Sequence, residues 1–268
     1  MPERIPRANI SKIEGAEWHK GSPEMPPLSK EISDLVGIVH HFNQEELRTR
    51  LTEIADRVAE LERKSRTDEL TGLLNRGGFR EEVQRLEAIF ARGRRDNQIE
   101  IPTALLAIDL DGFKEVNDTC GHSCGDRCLE LIAKHVPEVL REEDVFARIG
   151  GDEFSIFLTR DDEVGAAKVA ERVRATIEGV VTETMQSEFP NYKGKLSASI
   201  GVVAIDGNGE VDGEGYGGIE KIMKHADYAA YVVKAAGKKG ELTYQEARGV
   251  DADGQFERDF LAGKTLPR

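Results

Sequence analysis

Cysteine is scarce in this sequence: Cys120, Cys124 and Cys128 are the only three. An odd number of thiols without a secretion signal argues against a disulfide framework. Their spacing of four could place them along one helical face, with His122 nearby. A zinc site would normally need a CxxC-type pair and a distant second pair, which are absent. The preferred reading is small buried or half-buried residues at the start of a helix. Long hydrophobic runs are also missing. No stretch approaches the ~20 apolar residues that span a bilayer, and Met1-Pro2-Glu3-Arg4 opens no apolar signal core. These absences predict a cytoplasmic protein without a membrane partner. Positive charge is in deficit, with 37 Lys and Arg against 50 Asp and Glu, a net charge of −13. That balance argues against binding nucleic acid polymers by phosphate neutralisation. A small nucleotide could still be held locally by a metal ion and a few basic residues.

With 268 residues, 39% of them apolar, the chain can hold one sizeable domain plus extensions. Residues 1–28 are rich in Pro, Gly and charge and read as a flexible arm. Residues 29–66 read as a helical region. Ser29 could cap a short helix over 29–41, and a longer helix starts near Asn43 with Glu46 three positions on. Leu47, Leu51, Ile54, Val58 and Leu61 follow one another at steps of 4, 3, 4 and 3, a heptad seam. We read it as a short dimerising stalk; an amphipathic helix packed on its own domain is the alternative. From 67 to 245 apolar runs alternate with helical patterns. Helices are expected at 76–93, 123–140, 162–184 and 218–237, and strands at 101–109, 144–149, 153–159, 195–204 and near 241–244. This alternation fits an α/β (α+β) sandwich on a ferredoxin-like core. Residues 206–218 hold six glycines. An EF-hand would need a glycine at Val211 and an acid at Gly217, so a mobile loop is expected instead. The tail 246–268 is polar with one apolar patch (Phe256, Phe260, Leu261), and no internal repeat is visible.

Chemistry concentrates in two places. Arg148-Ile149-Gly150-Gly151-Asp152-Glu153-Phe154 puts two glycines and two adjacent carboxylates between two strand-like runs. Glycines allow a tight turn, and alternation along a strand points Asp152 and Glu153 in different directions. The run Thr103 to Ile108 ends in Asp109-Leu110-Asp111-Gly112-Phe113-Lys114. If these strands are neighbours, Asp109 and Asp152 can share a divalent cation over a phosphate, while Lys114 and loop amides meet phosphate oxygens.

These residues resemble the GGDEF-domain diguanylate cyclases. The likeness runs from about Thr67 to Tyr244 through six blocks in family order: Asp68 to Arg76, Asp109 to Asp118, Gly121 to Asp126, Gly150 to Phe154, Ser199 to Gly201, and Ala226 to Lys234. It implies a palm-like domain with a mainly antiparallel central sheet flanked by helices. It also implies a homodimer that condenses two GTP into cyclic di-GMP with Mg2+ or Mn2+. Asp109, the Leu110 carbonyl, Asp152 and Glu153 match metal positions. Asp152, Glu153 and Lys234 match catalytic ones, with Glu153 linked to metal binding or 3′-hydroxyl activation. Asn117, Asp126, Phe113, Lys114, Lys234 and Lys238 match substrate-binding positions.

Each assignment has a plainer alternative. Asp109 could be a solvated strand end, and Asp126 a helix N-terminal acid favoured by the dipole. An Asp accepts from guanine N1–H and N2–H₂, which adenine does not offer, so Asp126 favours GTP over ATP and over mixed purine products. Lys114 or Lys234 alone would be a solvated surface charge. Lys238 stands where the family usually has an arginine; the charge is kept and the bidentate fork is lost. Gly77-Gly78 stands where a further arginine often follows, and Asp68 could pair with Arg76. Arg141 and Asp144 match the family's RxxD inhibitory site, implying cyclic di-GMP as an allosteric inhibitor; the alternative for Arg141 is a local ion pair. The competing function is a catalytically silent module that binds cyclic di-GMP or GTP as a receptor. Degenerate members of the family usually lose the signature, which is intact here.

Overall fold

A computed structural model describes residues 44–97, 101–207, 210–211, 214–215, 217–237, 240–250 and 255–262. The expected arm over 1–28 and the short helix over 29–41 lie outside them. The chain divides into two units, Met1–Val58 and Ala59–Arg268. Helix α1 (Gln44–Arg66) crosses that division. Two residues of its expected seam, Leu51 and Ile54, are 61% and 58% exposed. The side chains of Leu47, Val58 and Leu61 lie outside the described residues.

The second unit is built on β1 (Thr103–Asp111), which is buried on both faces. A strand sandwiched between layers reads as a continuous apolar run, as Ala104 to Ile108 does. Alternation sends Ala104, Leu106, Ile108 and Leu110 into one core and Leu105 and Ala107 into another on the opposite face. Strand β1 pairs antiparallel with β3 (Glu153–Leu158) on one side and β4 (Ser197–Ile205) on the other. Strand β2 (Val145–Gly150) forms a hairpin with β3, and β7 (Gly240–Thr243) lies parallel to β4. The order β2-β3-β1-β4-β7 is the expected mainly antiparallel sheet.

One face carries α3 (Phe113–Cys120), α4 (His122–His135) and α5 (Glu163–Thr176), whose buried residues join the first core. Helix α5 continues through a π turn (Ile177–Val181) into α6 (Thr182–Glu188). The other face carries α2 (Arg76–Asn97) and α7 (Ile219–Ala235), packed in the second core. Cys124 and Cys128 are buried and Cys120 is half-buried, as read from the sequence. Among the described residues no cluster of His, Cys, Asp or Glu forms a metal cage, and no helix is long and apolar enough to cross a membrane.

Several expectations need correction. Helix α3 lies where no helix was expected. Its Phe113, Val116 and Cys120, at i, i+3 and i+7, turn toward the first core. The helix expected over 123–140 ends at His135, and a 3-10 turn over Val136–Val139 carries Pro137 at its start. The expected mobile loop contains a small hairpin, β5 (Glu210–Val211) with β6 (Glu214–Gly215), and Val211 is buried. The tail forms α8 (Tyr244–Val250) and α9 (Gln255–Leu261).

Candidate active site

Pairing of β1 with β3 sets Asp109 directly opposite Glu153. The Leu110 amide donates to the Asp152 carbonyl at 3.2 Å, stitching the end of β1 to the hairpin turn. The turn depends on Gly151, whose φ of +54° is a conformation side chains disfavour. Two strand ends thus bring Asp109, Asp152 and Glu153 together. Helix α7 supplies the facing wall. Asp227, Ala230, Tyr231 and Lys234, at i, i+3, i+4 and i+7, share one helical face and line a cavity of about 230 Å³ with Asp109 and Glu153. The Lys234 Nζ donates to Asp109 Oδ1, and Arg76 lies 3.8 Å from Glu153.

Charge in this cleft is incompletely balanced. Burial raises the Asp109 carboxyl above its usual range; Lys234 opposes the shift, while Asp152 and Asp111 reinforce it. Glu153 is raised by burial and by Asp109, against Arg76. Its side chain stays 55% exposed and Asp109 only 26%, so water screens Glu153 more. Desolvation and the negative charge of Glu153 push Asp227 up to about 6, with Arg76 pulling the other way. Its side chain keeps open surface, and water entering there works against that shift.

The cleft is rich in carboxylates and holds one lysine. Asp109 and Glu153 face each other across the strand pair without closing a metal cage, and a cation, Lys234, already leans on Asp109. Larger hollows lie elsewhere, one of about 360 Å³ beside Tyr244 and one of about 770 Å³ beside Asp144. Neither contains these carboxylates, so chemistry rather than size singles out the cleft.

The other candidate residues fall on nearby elements. Phe113 and exposed Lys114 start α3, just beyond the end of β1. Asn117 of α3 packs against Gly125 of α4; a Cβ there would come within 2.1 Å of Asn117 Oδ1, and exposed Asp126 is the next residue. Lys238 lies outside the described residues. Arg141 is held by Asp161, with Nη1–Oδ2 at 2.8 Å and Nη2–Oδ1 at 3.3 Å. The Asp144 carboxylate accepts from the Arg141 and Thr159 amides at 3.0 and 3.2 Å. The local-pair alternative for Arg141 therefore describes its present contacts.

Asp68 does not pair with Arg76. It accepts from Arg148 at 3.0 and 3.1 Å and from the Thr71 hydroxyl and amide. Arg148 also donates to the Gly151 carbonyl at 3.0 and 2.9 Å, bracing the turn that presents Asp152. Neither Arg148 nor Asp227 has a role assigned from the sequence, although Arg148 lies two residues before Gly150 and Asp227 seven residues before Lys234. Neither had a visible partner along the chain.

The sequence pattern of the family described as "Diguanylate cyclase, GGDEF domain" matches residues 65–240. The chain belongs to the GGDEF family. Among its relatives, diguanylate cyclase DosC of Escherichia coli is 31% identical over 245 residues, 84% of this chain and 49% of that protein. Cyclic di-GMP phosphodiesterase PdeB of Shewanella oneidensis is 32% identical over 225 residues, 81% of this chain and 23% of that one. The chain thus spans about a quarter to a half of these curated relatives. The GGDEF domain of DgcB from Caulobacter crescentus, solved with c-di-GMP, superimposes with a TM-score of 0.55 at 26% identity, covering 67% of this chain and 96% of that one.

Proposed function

We propose that this GGDEF protein is a diguanylate cyclase that joins two GTP into cyclic di-GMP and releases two pyrophosphates. The observation that carries the reading is the meeting of Asp109 and Glu153 across β1 and β3, with Lys234 reaching in from α7. Asp109, the Leu110 carbonyl, Asp152 and Glu153 would hold Mg2+ or Mn2+. When bound, the ion neutralises phosphate charge and makes a hydroxyl easier to deprotonate. Lys114, Lys234 and Lys238 hold the triphosphate, Phe113 flanks it, and Asn117 and Asp126 read guanine. Each 3′-hydroxyl attacks the α-phosphorus of the GTP on the opposite subunit. A new P–O bond forms, the bond from the α-phosphorus to the oxygen bridging to the β-phosphate breaks, pyrophosphate leaves, and a carboxylate of the cleft takes the proton. Pairing of subunits supplies proximity. The exposed Leu51 and Ile54 of α1 support a dimer formed through this helix.

Product inhibition at Arg141 and Asp144 belongs to the same reading, and the c-di-GMP bound to the DgcB domain supports it. The product would have to draw Arg141 away from Asp161. The test is incubation of the purified protein with GTP and Mg2+ or Mn2+, at high protein concentration and after stripping bound nucleotide. Products are resolved by chromatography and mass spectrometry, with Asp152→Ala alongside. Cyclic di-GMP from the wild type alone supports the cyclase. Binding of GTP or cyclic di-GMP without turnover moves the reading to a receptor module.

A further inference from the structure

Helices α8 and α9 lie beyond residue 240, where the family match ends, yet α9 reaches the carboxylate cleft. Phe260 of α9 is half-buried against α7, its ring centroid 5.7 Å from those of both Tyr228 and Tyr231. It lines the same cavity as Asp109, Glu153 and Lys234. Specific contacts hold the helix there. The Tyr244 hydroxyl donates to Glu257, and Arg248 Nε lies 3.3 Å from Glu257 Oε2. The Arg248 guanidinium sits over the Tyr244 ring at 5.7 Å, and that ring stacks on His225 of α7 at 4.3 Å. Glu257 is only 13% exposed. A carboxylate so desolvated keeps its place because it is paired, so the tether is unlike a loose surface ion pair.

We infer that α9 is a built-in wall of the nucleotide cleft and that Phe260 is a positioning residue for Lys234. The inference rests on the cyclase reading of the cleft. Tyr231, which Phe260 touches, lies three residues before Lys234 on the same face of α7. Fixing Tyr231 fixes the surface from which the lysine reaches across to Asp109. Phe260 also keeps water from the side of the cleft, where a drier environment strengthens attraction between lysine and phosphate. It forms a wall and not a plug: with Phe260 in place, Asp109 and Glu153 still expose 26% and 55% of their side chains.

The test uses 3′-deoxy-GTP, which lacks the attacking hydroxyl, titrated calorimetrically with Mg2+ into the full chain. Turnover of GTP is measured in parallel. Phe260→Ala should weaken binding about fivefold, the scale of one lost aromatic contact. Phe260→Leu should restore most of the affinity. Glu257→Gln, which loosens the tether without touching the cleft, should fall between. If Phe260→Ala does not fold, Glu257→Gln carries the comparison. Affinity equal to or tighter than wild type in Glu257→Gln, and in Phe260→Ala where it folds, overturns the wall. Wild-type binding without turnover, combined with weaker binding by the variants, removes the cyclase reading and leaves the wall. Wild-type turnover with unchanged variant affinity does the reverse, and a wild type that binds no nucleotide removes both.

Discussion

Asp68 and Asp109 both sit beside the β2–β3 hairpin, but the protein treats their charges in opposite ways. Asp68 is 24% exposed, close to the 26% of Asp109. Burial would raise the Asp68 carboxyl, yet hydrogen bonds from Thr71 and Arg148 outweigh it and hold the group below its ordinary value. Asp109 has one cationic partner and two carboxylate neighbours, and its carboxyl is raised. The first arrangement is a satisfied brace. The second retains unbalanced negative charge where a cation and a phosphate are proposed to bind. Similar exposure thus yields opposite outcomes: Asp109 lies deeper among protein atoms and desolvation outweighs its one lysine, whereas at Asp68 the bonds from Thr71 and Arg148 outweigh it.

The sharpest way to break this comparison is to remove one carboxylate from each side. Asp109→Asn should lower cyclic di-GMP formation by on the order of 10³-fold, the loss of several kcal/mol of transition-state charge stabilisation. Its melting temperature at pH 7 should be no lower than that of the wild type. Full turnover in this variant would remove the metal assignment. Arg148→Ala should reverse the pattern. It leaves Asp68 without its cation and the Gly151 carbonyl without its donor, so unfolding by urea should show a loss of about 2 kcal/mol. An unchanged midpoint would mean that the brace contributes nothing.

The smaller effects lie in pH. The folded Asp68 carboxyl is depressed, so its contribution is fully present above its unfolded value of 3.8 and is lost as pH falls through the folded value. Asp227 has the opposite sign: ionising it costs more in the fold, so stability declines as pH rises from 3.8 through about 6. Denaturant midpoints measured from pH 4 to 7 should show that decline in the wild type, and Asp227→Asn should flatten it. Asp68→Asn should instead lose stability above pH 4. Parallel curves for the two variants would mean that the environments do not differ in sign.

Much of the frame was legible in the sequence because strand alternation and helical spacing are local signals. The buried run of β1, the Gly-Gly turn and the α7 face bearing Lys234 all follow such patterns. Helix α3 carried a readable signal too, with Phe113, Val116 and Cys120 spaced for one face. The hairpin at Glu210 and the seven-residue helices α8 and α9 offered little pattern of their own. Short elements draw their stability from packing and not from propensity. Asp68 was matched to Arg76, eight positions away. Its observed partner, Arg148, is 80 residues distant.

The sequence by itself determined the family, the alternation of strands and helices, and which residue types gather in the signature turn. Tertiary structure decided which charges meet: Arg148 with Asp68, Lys234 with Asp109 across 125 residues, Arg141 with Asp161. It also decided that Phe260 borders the cleft. The physical reason is range. Propensity and periodicity act over a few residues, whereas these partnerships depend on strand register and on the seating of helices against both faces of the sheet.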